Sequence, residues 1–162
     1  MRARGTGPDG SQSPKTGLAL GALSPLVGYH LAQAAIVSTA AFERHVGQPF
    51  GLRKVEFSLL MLLQANGPLA PKQLAQSLTL TAPNLTLVLD RLQQRGLLQR
   101  QRNPADGRSQ HILLSASGQA LARDTAKVAA TMERDLDSRL TRAEHAMLIE
   151  LLDKVAGQRH PP

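Results

Sequence analysis

The chain has 162 residues, enough for one domain with a hydrophobic core, and carries 19 Lys and Arg against 12 Asp and Glu, for a net charge of +7. This basic balance favours a polyanionic partner, either nucleic acid or an anionic membrane surface. Because the chain has no cysteine, disulfides, thiolate nucleophiles, thiol-based oxidant sensing and Cys-ligated zinc are excluded.

Metal and membrane sites are not indicated either. The histidines are scattered, without an i, i+4 pair or an adjoining carboxylate cluster, at positions 30, 45, 111, 145 and 160. No apolar run approaches the ~18 to 20 residues that span a bilayer, and the basic start leads into Gly, Ser and Pro instead of a signal peptide. We therefore expect no cofactor, no metal, no membrane partner and a cytoplasmic location.

Residues 1–17 contain almost no large apolar side chain, so we expect a flexible tail. Their "GTGPDG" follows no strand and opens no helix, as a dinucleotide site would require. The next segment predicts a long helix with Ser24 as N-cap, Pro25 in its first turn and Gly47 as its stop. This helix is apolar on nearly every side, which predicts that it packs against a second subunit.

Three further helices are predicted in the middle of the chain. Residues 53–66 read as a core helix, and residues 70–78 and 82–96 read as two helices joined by the short "TLT" turn, a helix-turn-helix. In the second of these, Leu85, Leu89 and Leu92 form the buried stripe together with Val88. That spacing leaves several residues away from the stripe: Asn84, Thr86, Leu87, Arg91 and Arg95.

The segments at 97–102 and 108–114 flank "NPADG" and predict a β-hairpin anchored by Leu97, Leu98, Ile112 and Leu114. A hairpin after a helix-turn-helix makes a winged helix. Ser115 is a predicted cap for a long helix, and "TRAE" matches a capping box of Thr141 and Glu144 that opens a last apolar helix. The predicted fold is mainly α with a small β-wing. We expect a winged helix-turn-helix at 48–116 and a helical dimerisation region at 18–47 and 117–157.

This order of elements over roughly residues 24–157 resembles the MarR family of bacterial transcriptional regulators. The family's wing pattern of Asp, any residue, Arg, five residues and Leu-Thr is matched here by Asp106, Arg108, Leu114 and Ser115. "LVLDRLQQRGLLQR" is similar to the family's recognition helix and first wing strand. The resemblance implies a cytoplasmic bacterial homodimer on a pseudo-palindromic operator, with recognition helices in major grooves and wing tips in minor grooves.

On this resemblance Arg108 enters the minor groove and Asp106 braces its guanidinium. Independently of the family, five arginines and one acid lie between residues 91 and 111, which favours a strip that faces phosphates; the alternative is a solvated basic face. The predicted DNA-binding residues are Lys72, Thr81, Pro83, Asn84, Thr86, Leu87, Arg91, Arg100, Arg102, Asp106 and Arg108.

Two alternatives stay open at single positions. Leu87 either contacts a thymine methyl, while Asn84 pairs with adenine, or it packs in the core. The family resemblance also implies an aromatic carboxylate effector, or its coenzyme A thioester, between the dimer helices and the DNA-binding lobe. His30, Ser38 and Arg53 are the candidate effector residues, and structural or solvated roles are the alternative for each.

The sequence therefore predicts a sequence-specific DNA-binding protein, and more narrowly a ligand-responsive repressor. The main alternative is a non-specific, architectural DNA-binding protein, for which the positive charge alone would suffice. An enzyme is not indicated, because there is no nucleophile elbow, metal-ligand set or phosphate loop in a suitable context. A membrane-surface protein is not favoured, because the long helices lack a one-sided cationic pattern.

Overall fold

The computed structural model describes residues 17–102 and 110–157, apart from the side chains of 135–137. The chain divides into two compact units at Val37 and Ser38. The first contains a 3₁₀ turn, Gly21–Leu23, and the beginning of helix α1, Val27–Phe42. The predicted flexible tail falls almost wholly on residues 1–16, outside the described residues.

The first long helix differs from its prediction at both ends. It begins at Val27 instead of after Ser24, because residues 21–23 form the 3₁₀ turn and the backbone of Ser24 is already helical. Gly47 does not end it either. The chain continues as a π-helical turn, Glu43–Gly47, and a three-residue helix α2, Gln48–Phe50, and Gly51 ends it with a left-handed φ of 59°.

Helix α3, Lys54–Asn66, supplies the centre of the core of the second unit. Leu59, Leu60 and Leu63 are buried on one side of this helix. Phe42 from the end of α1 packs edge-on against Phe57, with ring centroids 5.8 Å apart. The predicted core helix is confirmed.

The helix-turn-helix consists of α4, Pro71–Ser77, and α5, Ala82–Gln94. The turn between them holds Thr79 at a φ of 53°, the left-handed region that a β-branched residue rarely adopts. Leu74 of α4 is fully buried, as are Leu85, Leu89 and Leu92 of α5, whereas Val88 is half-buried. Gly96 follows α5 with a φ of 70° and turns the chain into the wing.

The wing is a two-stranded antiparallel sheet of β1, Leu98–Arg102, and β2, Gln110–Leu114, with Leu98 opposite Leu114 and Arg100 opposite Ile112. Its apolar anchors are buried as predicted. Leu69 adds a bridge that the sequence did not predict: its backbone exchanges hydrogen bonds of 3.0 and 2.8 Å with Ile112. The base of the wing is therefore tied to the start of the helix-turn-helix.

Two long helices follow the wing. Helix α6, Ala116–Asp137, is capped as predicted, since the Ser115 hydroxyl accepts a hydrogen bond of 3.0 Å from Gly118 N–H. Helix α7, Arg142–Ala156, opens on the predicted capping box: Thr141 Oγ1 accepts from Glu144 N–H at 3.3 Å, and Glu144 Oε2 accepts from Thr141 N–H at 2.7 Å. The mainly helical fold with a small β-wing is confirmed.

The apolar side chains of α1 and α7 remain largely uncovered. On α7 they recur at helical spacing along one side, and Leu148, Leu151, Leu152 and Val155 are all exposed. Val27, Leu31, Ile36 and Val37 of α1 are exposed as well. Within residues 17–102 and 110–157, no helix has the length and apolar character needed to cross a membrane.

Candidate nucleic-acid interface

The outward surface of α5 carries most of the predicted base-reading residues. Leu87 is 69% exposed, so it does not pack in the core, and Asn84 and Thr86 beside it are exposed too. Thr86 Oγ1 donates a hydrogen bond of 3.0 Å back to Ala82 O, which fixes the hydroxyl in the first turn of the helix. The N-cap Thr81 and Pro83 are exposed at the same end. This surface thus presents an apolar side chain and an amide to the solvent.

A groove of about 390 Å³ runs between α4, α5 and the wing strands. Three of the predicted DNA-binding residues, Lys72, Thr86 and Arg100, line it together. Its floor is apolar and includes Leu85, Leu89 and Ile112. The fold therefore brings side chains from three separate elements to one basic concave surface.

Arg100 is held on that surface by an acid from α5. Its Nη2 donates to Asp90 Oδ1, and both side chains remain substantially exposed. An exposed pair of this kind contributes little stability, but it fixes the arginine over the groove. Arg102, further along β1, is exposed.

Arg91 and Arg95 leave α5 on the flank away from the groove, toward the end of α2 and the start of α3. Arg91 Nε lies 3.1 Å from Oε1 of Glu56, and 41% of its side chain stays exposed. Arg95 donates hydrogen bonds of 2.8 Å to Gly51 O and 3.0 Å to Phe50 O. Each terminal nitrogen of Arg95 thus donates one hydrogen bond within the protein, whereas Arg91 is paired with Glu56 at Nε.

The two residues predicted for the wing tip, Asp106 and Arg108, lie outside the described residues. Their DNA-binding roles therefore stay predictions. Within the described segments, no cluster of three or more His, Asp and Glu side chains is placed to hold a metal ion.

The three candidate effector residues lie in different settings. His30 is exposed on α1, and its Nε2 lies 2.8 Å from Ser24 O. Ser38 is exposed one residue before Thr39, whose hydroxyl accepts a hydrogen bond from Lys54 Nζ. Arg53 is the exposed N-cap of α3. His30 belongs to the first compact unit and the other two to the second. Their effector roles remain predictions.

Sequence reasoning missed two acids at this interface. Glu56 stands three, four and seven residues before Leu59, Leu60 and Leu63, and this spacing would have placed it on the buried side of α3. Asp90 has no comparable signal, since its partner Arg100 is ten residues away and meets it only through the turn at Gly96. Asp90 lies exposed on this surface, whereas Glu56 is buried and meets Arg91 from inside the protein.

Comparisons with known proteins agree with this architecture. The family model of the MarR family matches residues 52–110. The HTH-type transcriptional regulator MhqR of Bacillus subtilis (strain 168) is 30% identical over 105 residues, which are 65% of this chain and 72% of MhqR.

Two solved structures of the transcriptional repressor CouR are similar over most of the chain. CouR bound to a 23-mer DNA duplex has a TM-score of 0.80 and 34% identity, over 86% of this chain and 98% of that one. CouR bound to p-coumaroyl-CoA has a TM-score of 0.77 and 32% identity, over 87% and 99% of the two chains. With the family model on the helix-turn-helix and wing, and relatives that match well beyond it, the chain belongs to the MarR family of transcriptional regulators.

Proposed function

We propose that this transcriptional regulator is a homodimeric repressor that reads a pseudo-palindromic operator through α5. The observation that carries the proposal is the outward surface of α5, where Leu87 is 69% exposed beside Asn84. A large apolar side chain next to an amide is poorly explained by contact with water alone. It fits a major groove, where a leucine can meet a thymine methyl and an amide can pair with the N6/N7 edge of adenine.

The residues around α5 support contact with the DNA backbone. Lys72 and Arg100 come from α4 and β1 to one groove beside Thr86, and Arg102 extends the basic strip along the wing. Contacts of such cations with phosphates fix the position of the protein on the duplex, whereas base contacts give the specificity. The relative CouR has been solved on a 23-mer duplex, which supports the same use of this fold here.

The dimer is proposed from the uncovered apolar helices. Leu148, Leu151, Leu152 and Val155 form an exposed stripe on one side of α7, and α1 exposes further apolar side chains. An apolar stripe of this size normally marks an interface. We assign residues 18–47 and 117–157 to dimerisation and residues 48–116 to DNA binding. A two-fold dimer would place its half-sites about 10 base pairs apart, centre to centre.

Two substitutions test how the DNA is read. Asn84→Ala should relax the preference inside each half-site, whereas Arg108→Ala should weaken operator binding by about 1 to 3 kcal/mol with the loss concentrated at flanking A·T positions. Mobility shifts with intact, scrambled half-site and scrambled flank duplexes measure both. Equal losses on every duplex would instead support the non-specific DNA-binding alternative.

The repressor is further proposed to respond to an aromatic carboxylate or its coenzyme A thioester. Support comes from CouR, which has been solved with p-coumaroyl-CoA at 32% identity. His30, Ser38 and Arg53 are the proposed effector residues, with Arg53 as the partner for a carboxylate. Control of DNA binding requires the ligand to bind the DNA-competent and DNA-incompetent states with unequal affinity.

Calorimetry with benzoate, salicylate and hydroxycinnamate-type ligands, each with and without operator DNA, tests the effector. Linkage requires operator DNA to weaken ligand binding by the same factor by which the ligand weakens DNA binding. Arg53→Gln should weaken a carboxylate ligand while leaving operator affinity unchanged in its absence. If none of these ligands binds, or one binds equally well with DNA present, this effector class is wrong.

A further inference from the structure

Glu56 is a charged residue inside the apolar core of the second unit. Its side chain is 1% exposed, and it lies on the same side of α3 as the buried Leu59, Leu60 and Leu63. A buried carboxylate is costly unless it is both paired and hydrogen-bonded. An apolar residue at this position would fill the same space without that cost, so packing alone does not explain the carboxylate.

Both oxygens of Glu56 are occupied. Oε2 accepts a hydrogen bond of 2.8 Å from the backbone N–H of Arg53, at the first turn of α3. Oε1 faces Nε of Arg91 at 3.1 Å. The carboxylate is therefore fixed to its own helix by one oxygen and holds an arginine of α5 by the other.

Arg91 is bound at its inner nitrogen while part of its side chain stays in solvent. Nε is the guanidinium nitrogen nearest the helix, and 41% of the side chain is exposed. The guanidinium is a rigid plane with a fork of donors, so fixing Nε sets the direction of the terminal nitrogens. On α5, Arg91 follows Asn84 by two turns and shares its side of the helix.

We propose that Glu56 is a positioning residue for operator binding. It holds Arg91 through Nε so that the terminal nitrogens present their donors to a DNA phosphate beside the base-reading surface of Asn84 and Leu87. Glu56 itself touches no DNA. This inference rests on the proposed operator binding. It adds that Glu56 orients Arg91 for one phosphate contact before the DNA binds.

The competing explanation is that the pair only fastens α5 to α3. Arg95 has such a fastening role, because its two terminal nitrogens each donate to a backbone carbonyl, one of Gly51 and one of Phe50. A pair that served only stability would change unfolding but not the number of phosphate contacts. The salt dependence of operator binding distinguishes the two explanations. The slope of log K against log salt is negative, and each lost phosphate contact reduces its magnitude by about 0.9.

The experiment compares the intact chain with Glu56→Gln, Arg91→Lys and the double variant on one operator duplex over a series of KCl concentrations. Glu150→Gln is the matched control, because it makes the same change of charge in an exposed pair with Lys154, on the side of α7 opposite the apolar stripe. Fluorescence anisotropy gives affinity and slope, and thermal unfolding shows that each variant is folded at the assay temperature.

We expect Glu56→Gln to weaken operator binding about ten-fold and to reduce the magnitude of the salt slope by about one. Glu150→Gln should leave both the affinity and the slope unchanged. Arg91→Lys should do the same, because an ammonium that reaches Glu56 has no second fork to extend to the phosphate. The double variant should lose no more operator affinity than the more weakly binding of the two single variants, because both substitutions remove the same phosphate contact.

Unchanged affinity and slope in Glu56→Gln, or additive losses in the double variant, would overturn the inference while operator binding by the intact chain stood. If Glu56→Gln does not fold, Arg91→Lys decides alone, and an unchanged slope then overturns it. Failure of the intact chain to prefer any operator would remove the proposed function and this inference with it.

Discussion

The winged-helix region buries its large apolar side chains, whereas the terminal helices α1 and α7 leave most of theirs exposed. In the former, leucines of α3, α4, α5 and the wing are buried against one another, and Leu87 is an exposed exception. In α1 and α7 most of the large apolar residues are exposed, among them Ile36, Leu148 and Leu151. The first region completes its core within one chain, and the second does not.

This contrast separates two meanings of an exposed leucine. Leu151 belongs to a stripe that continues along α7, so we infer that a second copy of the chain covers it. Leu87 stands alone among polar residues on α5, so we infer that it meets a ligand surface of mixed character, as a DNA groove is.

Charging the α7 stripe should separate the subunits. Leu148→Glu combined with Leu151→Glu removes two apolar side chains per subunit, four in all, from the proposed two-fold interface. Because each is about half exposed in one chain, the loss is roughly 3 to 6 kcal/mol of dimerisation free energy before the cost of burying charge. Light scattering should then give a monomer or an aggregate instead of a dimer. Leu87→Glu, at a residue that is at least as exposed, is the control and should remain dimeric while losing operator binding. Dimers in both variants would place the interface elsewhere.

Truncating a core side chain of the winged helix should have a smaller effect, and it should appear in the free energy of unfolding instead of in dimerisation. Leu60 is 0% exposed, so Leu60→Ala should lower the free energy of unfolding by about 2 to 5 kcal/mol through the lost transfer energy and the cavity. Leu87→Ala should change it by no more than about 0.5 kcal/mol, as at other exposed sites. Chemical denaturation measures both, and a large loss in Leu87→Ala would mean that Leu87 packs after all.

The cap of α7 gives a smaller effect with a defined pH dependence. Thr141→Ala should destabilise the protein by about 1 kcal/mol at neutral pH, because it removes the hydroxyl that accepts from Glu144 N–H. Hydrogen bonds from Thr141 hold the pKa of Glu144 below its ordinary value of 4.5. The stability from this carboxylate is therefore present above that value and lost as the pH falls through the lowered pKa.

Unfolding of the wild type and Thr141→Ala from neutral to acid pH checks this prediction. The difference between the two should shrink as Glu144 becomes protonated. A difference that stays constant down to the acid limit would show that the Thr141 hydroxyl does not stabilise the Glu144 carboxylate.

The turn of the helix-turn-helix gives the smallest effect, with the opposite sign. Thr79 has a φ of 53°, so Thr79→Gly should raise the free energy of unfolding by roughly 0.5 kcal/mol after the greater entropy of unfolded glycine is subtracted. Thr81→Gly is the matched control. Thr81 has a φ of −71° and makes no side-chain cap bond, so glycine there should only destabilise. Denaturation of both variants decides, and equal losses would argue against strain at Thr79.

The fold was readable because its main signals are local. The apolar spacing in α5, the capping box of Thr141 and Glu144 and the cap at Ser115 each lie within a few residues of chain. The end of the first helix was misplaced because Gly47 reads as a stop, whereas a π-helical turn carries the chain on to Gly51. Glycine permits a helix end but does not require one.

Only part of the candidate site could be predicted from the sequence, because its two acids pair with arginines through tertiary contacts. Arg91 and Arg100 were predicted from charge, but their partners Glu56 and Asp90 come from residues 35 and ten positions away. Sequence spacing within one element does not report such pairs. Exposure of Leu87 was likewise undecided until the packing of α5 was known.

Selection of DNA by the purified chain shows whether this protein reads a particular DNA sequence as a dimer. Fragments captured from a random library near physiological salt are sequenced, and the recovered motif is then titrated against bulk competitor. We expect one pseudo-palindrome with half-sites about 10 base pairs apart, preferred at least ~10³-fold over bulk DNA. Even recovery of all sequences, with affinity that depends on salt but not on sequence, would contradict it.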